Sequence, residues 1–157
     1  MMPGLSEGLD AVLRLAVAAL AGAILGLPTT RRHRVGGVRT QALVTMGATL
    51  FCLVASRHIP QETGRIVAGV ISGIGFVGAA TVLKRGGLVS GVATAASIWL
   101  AGAVGCEIGL GNPVFAVVLA TVATLLNRMM LLFKSKTFRQ IKEGATAKAP
   151  REKDQEP

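Results

Sequence analysis

Five apolar runs, residues 9–27, 40–55, 66–83, 91–108 and 113–133, carry almost no interior charge, and nothing else in this 157-residue chain restricts its fold so tightly. A soluble domain of this size shows apolar positions recurring at period 2 or 3.6 between polar ones. These runs show no such alternation. Their lengths of 16 to 21 residues bracket the roughly 20 needed to cross about 30 Å of hydrocarbon. They predict an all-α, polytopic transmembrane helical bundle of about five spans. The second run is the shortest, and tilt or snorkelling of its flanking residues would seat it. The first run reads as a retained span and not a cleaved leader, because Glu7 and Asp10 stand where a positive n-region belongs.

The net charge of +9 would suggest a nucleic-acid surface if the basic residues clustered on a folded face. Arg14 lies within the first run, whereas the remaining Lys and Arg lie between runs or at their ends. That distribution describes juxtamembrane loops and argues against a nucleic-acid partner. Arg31, Arg32, Arg34 and Arg39 follow the first run, Lys84 and Arg85 follow the third, and eight basic residues occupy the chain from Arg128 onward. Across the membrane stand only Arg57 and Arg65, partly balanced by Glu62. The positive-inside rule therefore predicts an outside amino terminus and a cytoplasmic carboxyl terminus. Residues 1–133 are expected to form one membrane domain, and 134–157 a basic cytoplasmic tail with a short amphipathic helix followed by disorder.

Twenty glycines predict helices that approach closely, since lipid removes the hydrophobic drive between helices and leaves packing to hold them. Gly22 and Gly26, Gly69 and Gly73, and Gly105 and Gly109 are spaced as small-xxx-small pairs, and Gly75 and Gly78 extend the third run's face. The segments GGVRTQALVTMGATL and GGLVSGVATAASIWL share a faint similarity that chance explains as well as an internal repeat. Trp99, in the middle of the fourth run, is expected to pack inside the bundle with its N–H bonded to a neighbour.

Asp10 and Arg14 are four residues apart, on one helix face. An arginine at the centre of a span costs about 2.5–3.5 kcal/mol on insertion scales, so a partner is required. Two readings stand: snorkelling with a local Asp10–Arg14 salt bridge, or an outer charge network that also holds Glu62 and Arg65. For a cation pathway, oxygen ligands or a water-lined route are needed. No run carries Asp or Glu at its middle, and the hydroxyls of Ser72, Thr81, Thr94 and Ser97 serve helix packing equally well. The basic loops attract anionic lipid at about 1 kcal/mol per residue near the surface, and docking of an acidic face on a membrane partner is the sharper alternative. Cys52 and Cys106 fall toward the outer ends of their runs, which leaves two readings, an oxidised pair in an oxidising periplasm and two free, buried thiols, of which the second is expected. His33 and His58 sit on opposite sides of the membrane and share no metal. No nucleophile–base set, phosphate loop or metal spacing is present in the sequence, so neither an enzymatic activity nor a cofactor is expected.

The order of the motifs is specific. GGVRT at 36–40 is followed by LVTMGA, then by Arg65 and SGIGFVGAA at 72–80, LKRGG at 83–87, and GVATAASIWLAGAVG at 91–105. Across residues 9–111 this series resembles the MgtC/SapB family. The resemblance implies a bacterial inner-membrane protein associated with magnesium limitation, acid tolerance and survival inside host cells. It leaves two activities open, a regulator that binds a membrane partner and a magnesium or other cation transporter. A second copy of the chain is a further candidate partner. The motifs single out Arg39, Thr40, Glu62, Arg65, Gly73, Gly75, Gly78, Arg85, Thr94 and Trp99, beside the Asp10–Arg14 pair, as the candidate functional set. Three features depart from the family pattern. Pro28, Thr29 and Thr30 replace a Glu-Arg pair, Gln41 replaces a histidine, and Glu62 replaces an aspartate. Longer members carry a soluble carboxyl-terminal domain where this chain has a short tail.

Overall fold

In hydrocarbon every backbone N–H and C=O must bond within its own segment, so long apolar runs become helices. The computed structural model describes residues 4–30, 36–85 and 88–147. It contains α1 (Leu5–Thr30), α2 (Val38–His58), α3 (Thr63–Ala79), α4 (Val92–Leu110) and α5 (Pro113–Ala147), with a 3₁₀ turn at Pro60–Glu62 before α3. Each of the five expected runs supplies a helix. Four helices are long and apolar enough to cross a membrane, over Leu5–Pro28, Val38–His58, Val92–Leu110 and Pro113–Met130.

The third run departs from expectation. Instead of spanning residues 66–83, α3 covers 17 residues and stops at Ala79, about 26 Å at 1.5 Å per residue. Its last turn tightens as Thr81 N–H bonds to the Gly78 carbonyl and Val82 N–H to that of Ala79, both at 3.0 Å. The Thr81 hydroxyl also donates to Gly78 O at 2.7 Å. The chain then enters a two-stranded antiparallel hairpin, β1 (Leu83–Arg85) and β2 (Leu88–Ser90), pairing Leu83 with Ser90 and Arg85 with Leu88. Gly91 closes the hairpin onto α4 at φ +93°, where a Cβ would lie 2.0 Å from Thr81 O. Only glycine satisfies both the backbone angle and the contact.

Residues 1–124 and 125–157 form two units. In the first, α1, α2 and α4 pack closest, and the core gathers Ala18, Ala21, Leu25, Ala101, Val104, Ile108, Ala116 and Ala120. Small residues make this proximity attainable. A Cβ at Gly22 would meet Gln41 O at 2.6 Å, one at Gly105 Thr45 O at 2.4 Å, and one at Gly109 Thr49 O at 2.5 Å. Two of the expected glycine pairs are thus buried in helix crossings. In the second unit, residues 125–147 are helical, including 134–147 of the expected tail. Residues 148–157 lie outside the described residues, as do Arg31, Arg32, His33, Arg34, Gly86 and Gly87.

Candidate functional site

At the end of the bundle where α1 begins and α2 and α4 end, charged side chains converge. Arg14 Nε donates to Asp10 Oδ2 at 2.9 Å, the expected one-turn pair. The same carboxylate oxygen accepts from Arg57 of α2, and Arg57 Nη1 donates to the Glu7 carbonyl at 3.1 Å. Arg14 Nη1 in turn reaches the Ile108 and Gly109 carbonyls of α4, each at 3.3 Å. Those carbonyls belong to the negative end of the helix dipole, where a guanidinium is favoured. Gly111, in the left-handed region at φ +106°, turns the chain so that its N–H and that of Asn112 bond back to Ile108 and Glu107. One carboxylate and two arginines therefore staple three helices.

The alternative outer network is not observed. Glu62 pairs with Arg65 at 3.0 Å within the start of α3, and Arg65 remains 83% exposed. The Asp10 network enlists Arg57 instead, because α2 ends beside α1 whereas the 3₁₀ turn carries Glu62 onward to α3. Arg57 was missed by sequence reasoning. Forty-seven residues separate it from Asp10, and no local spacing links them.

A second polar feature lies inside the bundle. Gln41, Thr45 and Thr49 occupy one face of α2 at spacings of four and are fully buried, Gln41 meeting Ser97 of α4, Thr49 meeting Gly105 of α4, and the Thr45 hydroxyl lying beside Gly22 of α1. Gln41 Nε2 donates to Ser97 Oγ at 2.8 Å, Ser97 donates to Thr94 O at 2.8 Å, and Thr49 donates to Gly105 O at 2.9 Å. Thr45 bonds the Gln41 carbonyl at 2.9 Å. Because Ser97 has committed its proton to Thr94, the network orients the Gln41 amide. Its Oε1 is the one buried side-chain oxygen with no donor among the described residues. The i, i+4, i+8 spacing of Gln41, Thr45 and Thr49 is the sequence signal that reveals this seam.

The third feature is a groove of about 580 Å³ between α2 and α3, lined by Leu43, Val44, Gly47, Phe51, Ile66, Gly69, Val70, Gly73 and Ile74, with Arg65 at its edge. A Cβ at Gly47, Gly69, Gly73 or Gly75 would meet nothing within 4 Å. The expected tightening role of the Gly69–Gly73 pair is therefore corrected: that face is open, and of the α3 glycines it is Gly78 that packs, against Ala95. Trp99 is a further correction. It is 51% exposed, bordering a cleft of about 210 Å³ between α3 and α4. The face of α4 that runs through Ile98, Gly102, Gly105 and Gly109 is the one its neighbours bury.

The remaining candidates are dispersed. Arg39 and Thr40 stand in the first turn of α2, Arg39 exposed and Thr40 half-buried, while Thr94 is buried against Gly36. Arg85 lies on β1, and its side chain is outside the described residues. Among the described residues, no three His, Cys, Asp or Glu side chains come together as a metal would require.

Comparison with known proteins adds a family relation. The profile of the MgtC family matches residues 15–136. "Protein MgtC" of Salmonella typhimurium strain LT2 is 39% identical over 120 residues, 74% of this chain and 52% of the relative. "Putative magnesium transporter YhiD" of Escherichia coli K12 is 34% identical over 137 residues, 82% of this chain and 62% of the relative. A Synechocystis protein, slr0014, is 42% identical over 104 residues, 65% of this chain and 44% of the relative. The chain thus spans about half the length of the curated relatives it matches. No solved structure matches it.

Proposed function

Because this chain belongs to the MgtC family, we propose that it acts in magnesium limitation as a regulatory membrane protein that docks an apolar helix of a membrane partner in the α2–α3 groove. The observation that carries this reading is the open glycine face. Helices associate in lipid where small residues let backbones approach, and Gly47, Gly69 and Gly73 line a groove that no side chain of the described residues fills. Among the described residues the acidic side chains, Glu7, Asp10, Glu62 and Glu107, stand toward helix ends, which suits anchoring at the membrane surface better than ligation of a divalent cation within the bundle. The protein is multi-pass. Its proposed home is the bacterial inner membrane, amino terminus outside, with the basic loops against anionic lipid.

The direct test is co-purification from detergent extracts. Filling the groove with Gly69→Leu and Gly73→Leu should weaken recovery of the partner by about tenfold, equivalent to 1.4 kcal/mol, with no change in the protein's own melting temperature. Undiminished recovery would remove the groove from the mechanism.

A second reading, cation transport, is favoured by the name of the Escherichia coli relative and by the buried seam around Gln41 Oε1. The purified chain in liposomes decides between them. The regulatory reading expects magnesium entry no faster than into protein-free vesicles. Entry above that level which disappears on Gln41→Leu or Glu62→Gln would install the transporter in its place.

The proposed orientation is checked separately. In a Cys52→Ala, Cys106→Ala background, an impermeant maleimide added from outside should label Gln61→Cys and spare Val89→Cys, both at exposed positions. The reverse pattern would invert the bundle.

A further inference from the structure

Cys52 and Cys106, both free and buried, face each other across the α2–α4 crossing, with Ala48 completing their cluster. Their side chains pack into one buried cluster. The two helices pack closely here. A Cβ on Gly109, one turn beyond Cys106, would stand 2.7 Å from Cys52 Cβ. A disulfide needs Cα atoms about 4.4–6.8 Å apart, and only helices in such intimate contact bring them there. The two thiols also differ in access. Cys52 is fully buried, whereas Cys106 lines the cleft between α3 and α4 beside Trp99, Glu107 and Leu110. Leu110 ends α4 four residues on, which places Cys106 about 6 Å below the helix end.

We propose that Cys52 and Cys106 are a modification site, a dithiol that a small disulfide entering the α3–α4 cleft converts to an α2–α4 disulfide. The Cys106 thiolate attacks one sulfur of the incoming disulfide, forming a mixed disulfide and releasing one thiolate. The Cys52 thiolate then attacks Cys106 Sγ and expels the second. Two cysteines are oxidised and the reagent's disulfide is reduced, the two cysteine protons passing by way of solvent to the two released thiolates to give two thiols. The product joins α2 to α4 at the end of the bundle that the arginine network already staples. Buried cysteines that serve only as small apolar residues require neither a partner thiol nor a cleft.

The test uses the full chain in lipid nanodiscs with 4,4′-dithiodipyridine, a small apolar disulfide whose thiopyridone product absorbs light. Wild type should release two thiopyridones per chain and yield an intact protein lighter by two hydrogens, with no pyridyl adduct. Cys52→Ala should release one and retain a pyridyl group on Cys106, whereas Cys106→Ala should react at least tenfold more slowly than Cys52→Ala. Wild-type protein that keeps one or two pyridyl adducts, or whose thiols react only after unfolding in detergent, would overturn the proposal. The wild-type mass alone decides the matter should either variant fail to fold.

Discussion

Gly109→Leu is expected to abolish the folded protein, with fluorescence-detected size exclusion in mild detergent showing loss of the monodisperse peak. A side chain at this position would collide with Thr49 O, at 2.5 Å, and with Cys52 Cβ, at 2.7 Å. Overpacking a core costs about 1–3 kcal/mol when side chains can move aside. Here the nearest obstacle is backbone, so relief demands that α2 and α4 separate along their whole crossing. The expected cost is at or above the upper end of that range, against a total stability of about 5–15 kcal/mol. Gly105→Leu should behave alike, because Thr45 O stands 2.4 Å from its Cβ position. Gly73→Leu is the matched control, the same substitution on an open face, and should leave the peak in place. Equal loss at Gly73 and Gly109 would refute the packing assignment.

The second large effect is expected at Asp10. Asp10→Ala removes the carboxylate shared by Arg14 and Arg57 and leaves two guanidinium groups facing each other. Exposed ion pairs contribute about 0.2–1 kcal/mol, and breaking a buried one costs about 3–5 kcal/mol. Side-chain exposures of 25% for Arg14, 29% for Arg57 and 44% for Asp10 put this cluster between those limits. A loss of about 1–3 kcal/mol is expected. Arg57→Ala in the Asp10→Ala background should restore part of the loss by removing a like charge. Arg14 keeps the Ile108 and Gly109 carbonyls in that double variant. Thermal melts of the two single variants and the double variant form the cycle, and a double variant less stable than Asp10→Ala would show that Arg57 packs and does not repel.

Much of the fold was legible because lipid leaves an apolar backbone few options. Each of the five runs supplies a helix, and the one-turn Asp10–Arg14 pair follows from helical geometry alone. The end of α3 was not legible. Leu83 continues the apolar character of its run, yet it enters β1, since the hydrogen bonds of Thr81 and Val82 and the fixed φ of Gly91 turn the chain back. Trp99 shows the same limit. Its position in an apolar run identifies a helix but not which face of that helix is covered.

Glycine spacing marks the boundary between the two kinds of information most sharply. The sequence alone determined a polytopic helical chain, its family, its charged ends and three small-xxx-small pairs, because each depends on composition or on spacing within one helix. Only the tertiary structure decided that Gly22–Gly26 and Gly105–Gly109 are consumed in crossings with α2 while Gly69–Gly73 lines an open groove. It likewise brought Arg57 to Asp10 and Cys52 to Cys106. The physical reason is common to all of these. Spacing along a helix determines which residues share a face, but which face meets a neighbour depends on how whole helices pack, and residues 47 or 54 positions apart carry no local signal of their meeting.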